Sequence, residues 1–170
     1  MNILLWPDPV LLKSVSPVVL PDPELPKLIE DMYSTMKAAN GIGLAANQVG
    51  VNKRVLVLDV GEGCEAFVNP KQVAHRGLRT SMPEGCLSVP GFLARVDRYK
   101  DVHVEYEKPF MGGYIRVTEV FTGPRAHVLQ HEIEHLNGHI FVEHLNRALR
   151  FAAKIHMQKR SGVVFRRDPK

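Results

Sequence analysis

The stretch Gln130-His131-Glu132-Ile133-Glu134-His135-Leu136-Asn137-Gly138 constrains this chain more than any other. It contains His-Glu-x-x-His, and on a helix residues four apart share a face. That spacing lets His131 and His135 hold one metal ion with Glu132 beside it as a general base. Pro124 suits a first helical position and Asn137-Gly138 a C-terminal stop, so a helix is predicted here. The bland alternative is two His and a Glu falling by chance on a solvated helix. A catalytic metal needs a third protein ligand and a position left for water.

The downstream chain offers no good third ligand. A peptidase pattern extended to His-x-x-Gly-x-x-His would place its last His at 141, which is Phe141; His139 comes too early and His144 too late. After Glu143 the only acid is Asp168. Upstream, Cys86 stands in a Gly-Cys-Leu turn. A thiolate beside two imidazoles suits iron or zinc, although a Cys is as readily a small buried hydrophobe.

Around this helix the chain reads as α+β. Residues 1–20 are an extended arm with one short helical turn. Asp22-Pro23 starts an N-terminal helix bearing Leu25, Leu28, Ile29, Met32 and Met36, and Asn40-Gly41 ends it. Strands are predicted over 54–60, 66–69, 72–79, 95–99, 102–106 and 114–120, with a hairpin turn at 109–113. A C-terminal helix over 145–158 would turn Leu145, Leu149, Ala152, Ala153 and His156 inward. Gly41-Ile42-Gly43 lacks the third Gly of a dinucleotide loop and the Lys of a phosphate loop, so its glycines read as close backbone approach. The expected architecture is antiparallel sheet packed around a central metal-binding helix, in one catalytic domain of residues 1–170.

Three stretches together resemble the peptide deformylases. Gly41 to Gln48 (GIGLAANQ), Glu84 to Ser88 (EGCLS) and Gln130 to Gly138 (QHEIEHLNG) match that family's three motifs in order and separation. The resemblance implies hydrolysis of the formyl group on the initiator Met of new polypeptides. It implies Cys86, His131 and His135 as metal ligands and Glu132 as acid/base, with Gln48 and the Leu87 N–H as oxyanion donors. Ile42, Gly43, Gly85 and Leu87 would run along the substrate backbone. Met82, Pro124, His127 and Val128 would wall the slot for the Met side chain. The ion would be ferrous iron (Fe2+) first, with Zn2+, Ni2+ or Co2+ as alternatives. Glu134 departs from the family's usual Asp; lying about 100° around the helix from His135, it is expected to form an ion pair, with Arg98 as the partner. His127 is read as a pocket or structural residue. The competing functions are a metallopeptidase and a non-catalytic peptide- or ribosome-binding relative.

Charge and composition bound the partners. The net charge is +4, but the end of the chain is richer in cations: Arg147, Arg150, Lys154, Lys159, Arg160, Arg166, Arg167 and Lys170 against Asp168. This segment, with a basic tail over roughly 159–170, is either a solvated face or a surface for a polyanion such as ribosomal RNA. DNA and membranes are not expected partners, and the chain is read as a monomer or weak dimer. No apolar run approaches the roughly 20 residues of a membrane span. The start, Met1 to Val10, lacks a basic segment and meets Trp6-Pro7-Asp8-Pro9 early, which points to the cytoplasm, or to an organelle after loss of a leader. The two cysteines, Cys64 and Cys86, are too few for a disulfide framework.

Overall fold

The structure, a computed structural model, describes residues 1–163 and Phe165. Five strands are joined in sequence order into one antiparallel sheet: β1 (Gly43–Ala45), β2 (Val55–Leu58), β3 (Glu65–Cys86), β4 (Val89–Phe110) and β5 (Gly113–Thr122). The helices are α1 (Leu25–Ala38), α2 (Gly123–Leu136) and α3 (Arg147–Ser161). Among the described residues no helix is long and apolar enough to cross a membrane.

Alternation along the strands places α2. Val102, Val104 and Tyr106 share one face of β4. With Leu56, Phe67 and Phe121 they bury Ala126, Leu129, Ile133 and Leu136 of α2. A second core joins α1 through Leu25, Met32 and Met36 to Leu44, Val55, Val57 and Val68. A third gathers Trp6, Leu11, Val89, Val96 and Phe141 with Ala153 and Met157 of α3. Burial of α2 extends to its polar residues His127, Gln130, His131, Glu132 and His135, which therefore need partners.

The expected short strands at 66–69 and 72–79 are one strand of 22 residues, as are those at 95–99 and 102–106. The apolar pattern lapses because residues 73–81 form an exposed ribbon beyond the core. Register shifts at Val68/Lys71, Gln72/Ala74, Arg76/Arg79 and Glu84/Cys86 keep this ribbon paired while bending it.

The helix ends show which local signals held. Asp22 does not cap α1; its carboxylate accepts from the Glu24 N–H at 3.0 Å, and the helix begins at Leu25. Asn40 takes φ 55° just after α1, and the Gly41 N–H donates to Met36 O at 2.9 Å. Pro124 lies in the first turn of α2 and Asn137 caps its end. Gly138 follows with φ 80°, where a Cβ would come within 2.8 Å of the Lys13 backbone. The inward face of α3 agrees with expectation at Ala153, and Leu145 just before the helix is buried as expected, but the rest differs. Asn146 caps it at 3.0 Å from the Leu149 N–H, and the buried seam is Ala153 and Met157; Leu149 and Ala152 are exposed. Arg147, Arg150, Lys154, Lys159 and Arg160 lie on α3, whereas Arg166, Arg167, Asp168 and Lys170 lie outside the described residues.

Candidate metal centre

The β3–β4 connection and α2 bring three donors together. Cys86 ends β3, separated by Leu87 and Ser88 from the start of β4 at Val89, and His131 and His135 sit one turn apart on α2. Cys86 Sγ lies 3.1 Å from His135 Nε2, which lies 3.2 Å from His131 Nε2. The three donor atoms all fall within 4.8 Å of one another. This donor set fits a divalent ion: sulfur and two imidazoles suit borderline-soft metals. Burial, then the cations His131 and Arg98, hold His135 well below the ordinary imidazole range, in the neutral form that coordinates. Burial opposes a charge on His131, but Cys86 and Glu84 draw a proton onto it. A cation between the donors would take that proton's place. Cys64, a free, exposed thiol in the β2–β3 loop, is not among these donors.

Glu84 organises the site from behind, and the sequence reading missed it. It points inward two residues before Cys86 and is 6% exposed. Its carboxylate meets His131 Nδ1 on one oxygen and His127 Nε2, at 2.8 Å, on the other. Arg98 donates to both oxygens at 2.8 and 2.7 Å. Burial pushes its pKa up, yet Arg98, His127 and His131 outweigh burial and hold it far below the usual carboxylate range. A carboxylate on the outer nitrogen of a ligand His orients the ring and raises its basicity. Two clues were present in the sequence: an acid two residues before the Cys, and an arginine on the next strand, four positions beyond Ala94, the residue paired with Glu84. His127 accordingly has a partner in Glu84 rather than a place among the metal donors. Arg98 also reaches Glu134 at 2.9 Å, as expected, and His144 joins Glu134 at 2.9 Å. Burial raises the Glu134 pKa, but His144 and Arg98 bring it down to about 2.

Glu132 lies beside the donors, 3% exposed, with Oε2 lacking a hydrogen-bond partner. Burial, with Glu84 adding to it, pushes its pKa up to about 7. Gly43 makes room for it: a Cβ there would sit 2.9 Å from Glu132 Cδ. Gln48 is 1% exposed. Its Oε1 accepts from the Ala45 N–H at 2.8 Å, which turns the amide nitrogen to Cys86 Sγ, 3.5 Å away, and Ser88 Oγ, 3.2 Å away. Ser88 N–H also donates to the sulfur at 3.4 Å. Ser88 was not foreseen as a partner of the thiol.

A cavity of about 450 Å³ opens beside these groups. Ile42, Gly43, Gly85, Leu87, His127 and Val128 line it, together with Cys86, His131 and Glu132. Met82 and Pro124, expected in its wall, do not line it. Met82 is two strand positions beyond Glu84, some 6–7 Å along β3, and Pro83 takes the place. Pro124 lies a turn of α2 before His127. A larger hollow of about 600 Å³ lies against another face of α2, where Arg54, Lys71, Glu105 and His144 line it. None of the three donor residues lines that hollow, whereas Cys86 and His131 line the smaller cavity.

Comparisons with known proteins agree with one another. A family model described as polypeptide deformylase matches residues 1–151. The chain is 43% identical over 153 residues to a peptide deformylase of Rhizobium meliloti, covering 87% of this chain and 86% of that one. It is 41% identical over 162 residues to peptide deformylase 1 of Pseudomonas syringae, covering 94% and 95%. Among solved structures, the peptide deformylase of Ehrlichia chaffeensis in complex with actinonin superimposes with TM-score 0.89 at 35% identity, covering 96% and 98%. That of Legionella pneumophila gives 0.84 at 40% identity, covering 93% of each chain.

Proposed function

Since the chain belongs to the peptide deformylase family, the metal-dependent hydrolases that remove the N-formyl group from nascent polypeptides, we propose that Cys86, His131 and His135 hold its ion and Glu132 moves the protons. The observation that carries this assignment is the convergence of sulfur and two imidazoles beside a buried carboxylate with one oxygen unpartnered among the described residues, at a cavity wall. A formamide resists water because hydroxide is scarce at neutral pH, charge builds on oxygen, and an amine leaves poorly. When bound, a divalent ion supplies the Lewis acidity that brings water within reach of ionising near neutral pH.

The chain's own residues do the rest. Glu132 takes a proton from water as water attacks the formyl carbon, and its pKa of about 7 suits that exchange. The same carboxyl then delivers the proton to the departing amine as formate leaves. The Gln48 amide N–H and the Leu87 backbone N–H meet the negative charge on the formyl oxygen. Losing one such donor costs about 2.7–4 kcal/mol in comparable sites. The peptide backbone runs between Ile42–Gly43 and Gly85–Leu87, whose strand edges accept many sequences. The Met side chain turns towards His127 and Val128.

The donor set also bears on the ion. Ferrous iron is the proposed occupant, with zinc, nickel and cobalt able to replace it, and an iron–thiolate centre is open to oxidation. The chain acts as one catalytic domain on formyl-Met peptides in the cytoplasm, or in an organelle, as a monomer or weak dimer. The cations of α3 favour docking on the ribosome, and pelleting with ribosomes across a salt series tests that docking. The function is tested with formyl-Met-Ala-Ser beside the unformylated peptide. Formate release from the first with no cleavage of the second is the expected result, and cleavage of the second would make this a peptidase.

A further inference from the structure

The far end of α3 rests on a wall of the substrate cavity. β4 begins directly after the turn that carries Cys86, with Val89-Pro90-Gly91-Phe92, and Pro90, Gly91, Phe92 and Leu93 line the cavity. Pro90 offers no N–H to a ladder, and Gly91 has φ 77°, so regular pairing does little to hold this backbone. Instead, His156 Nε2 donates to Pro90 O at 2.9 Å. A carbonyl can only accept, which places the ring proton on Nε2. A Cβ on Gly91 would meet Arg160 Nη1 at 3.3 Å and His156 Nε2 at 3.6 Å, so both side chains lie over the same backbone. The His156 ring is 5.7 Å from that of Phe92; Phe92 is 6.5 Å from Phe141, and Phe141 is 5.9 Å from the ligand His131. His156 and Arg160 both fall beyond residue 151, where the match to the family model ends.

We propose that His156 is a positioning residue for the peptide substrate: by fixing the Pro90 carbonyl it sets the wall at Pro90–Leu93 against which the peptide lies. The proposal rests on the cavity beside Cys86 being the substrate site. His156 reaches no donor atom of the metal triad, so its loss acts on peptide binding more than on the bond-breaking step. The test is steady-state formate release from formyl-Met-Ala-Ser by wild type, His156→Ala, His156→Phe and His156→Gln, with metal content and thermal unfolding measured on each. Phe keeps a ring against Phe92 without the N–H, and Gln restores an N–H near the same place. Ala and Phe are expected to raise KM by about 2- to 10-fold, the worth of one neutral hydrogen bond, with a smaller change in kcat and full metal. Gln should return KM towards wild type. If Ala fails to fold, the Phe and Gln pair still decides. Wild-type KM in the Phe variant overturns the proposal, as does a fall in kcat and metal together in all three. Absence of turnover in the wild type would overturn the assigned site itself, and the proposal with it.

Discussion

Glu132 shows how closely neighbouring residues determine one another. It is buried, Oε2 has no partner, and only a glycine at position 43 leaves it room. Glu132→Gln keeps the shape and removes the proton carrier. Formate release should fall about 10²- to 10⁴-fold with metal content unchanged, and turnover retained in that variant would remove Glu132 from the reaction. Gly43→Ala drives a methyl group at the same carboxyl, so it should lower kcat while the metal stays, checked in the same assay. Glu84 is the other decisive residue. Glu84→Gln leaves the Arg98 guanidinium, 2% exposed, with only Glu134 as a charged partner among the described residues. Breaking a buried pair costs about 3–5 kcal/mol, and denaturant unfolding of the variant should show a loss at the lower end of that range. The three donors and Glu132 were legible because their spacing follows from helix geometry and the motifs. Glu84 was not, because an acid two residues before a cysteine does not reveal its partners; its role appears only when β3, β4 and α2 meet.

At the scale of elements, α2 is tied to its surroundings by charge as well as by apolar packing. Glu134 joins it to Arg98 of β4 and to His144 in the turn before α3. Its carboxyl titrates at about 2 against an ordinary 4.5. A depressed acid stabilises the fold fully above its unfolded value, and that contribution is lost as pH falls through the folded one. Stability should therefore decline between about pH 4.5 and 2, and Glu134→Gln should flatten that decline in unfolding curves taken across the range. An identical slope in the variant would show that Glu134 does not carry it. Local signals gave α1 and α2 nearly whole, because Pro, Asn and Gly mark their ends. They fragmented β3 and β4, since the exposed ribbon at 73–81 carries no apolar alternation. On α3 they took Ala152 and Ala153 together as inward, because the two are equally apolar, and only the core shared with Trp6 and Val89 selects Ala153.

In the whole molecule a strand end and a buried helix bring a sulfur and two imidazoles to one place, and the proposed deformylation site rests on their holding one ion. The long β3–β4 hairpin delivers sulfur to two imidazoles 45 and 49 positions later in the chain, since 131 − 86 = 45 and 135 − 86 = 49. The most direct measurement is a titration of metal-free protein with ferrous iron under anaerobic conditions, following formate release from formyl-Met-Ala-Ser in wild type and in Cys86→Ala. Activity is expected to rise linearly and level off at about one ion per chain in the wild type, as a mononuclear three-ligand site requires, and to stay near background in the variant. Formate release without added metal, or an unchanged titration in Cys86→Ala, would contradict it.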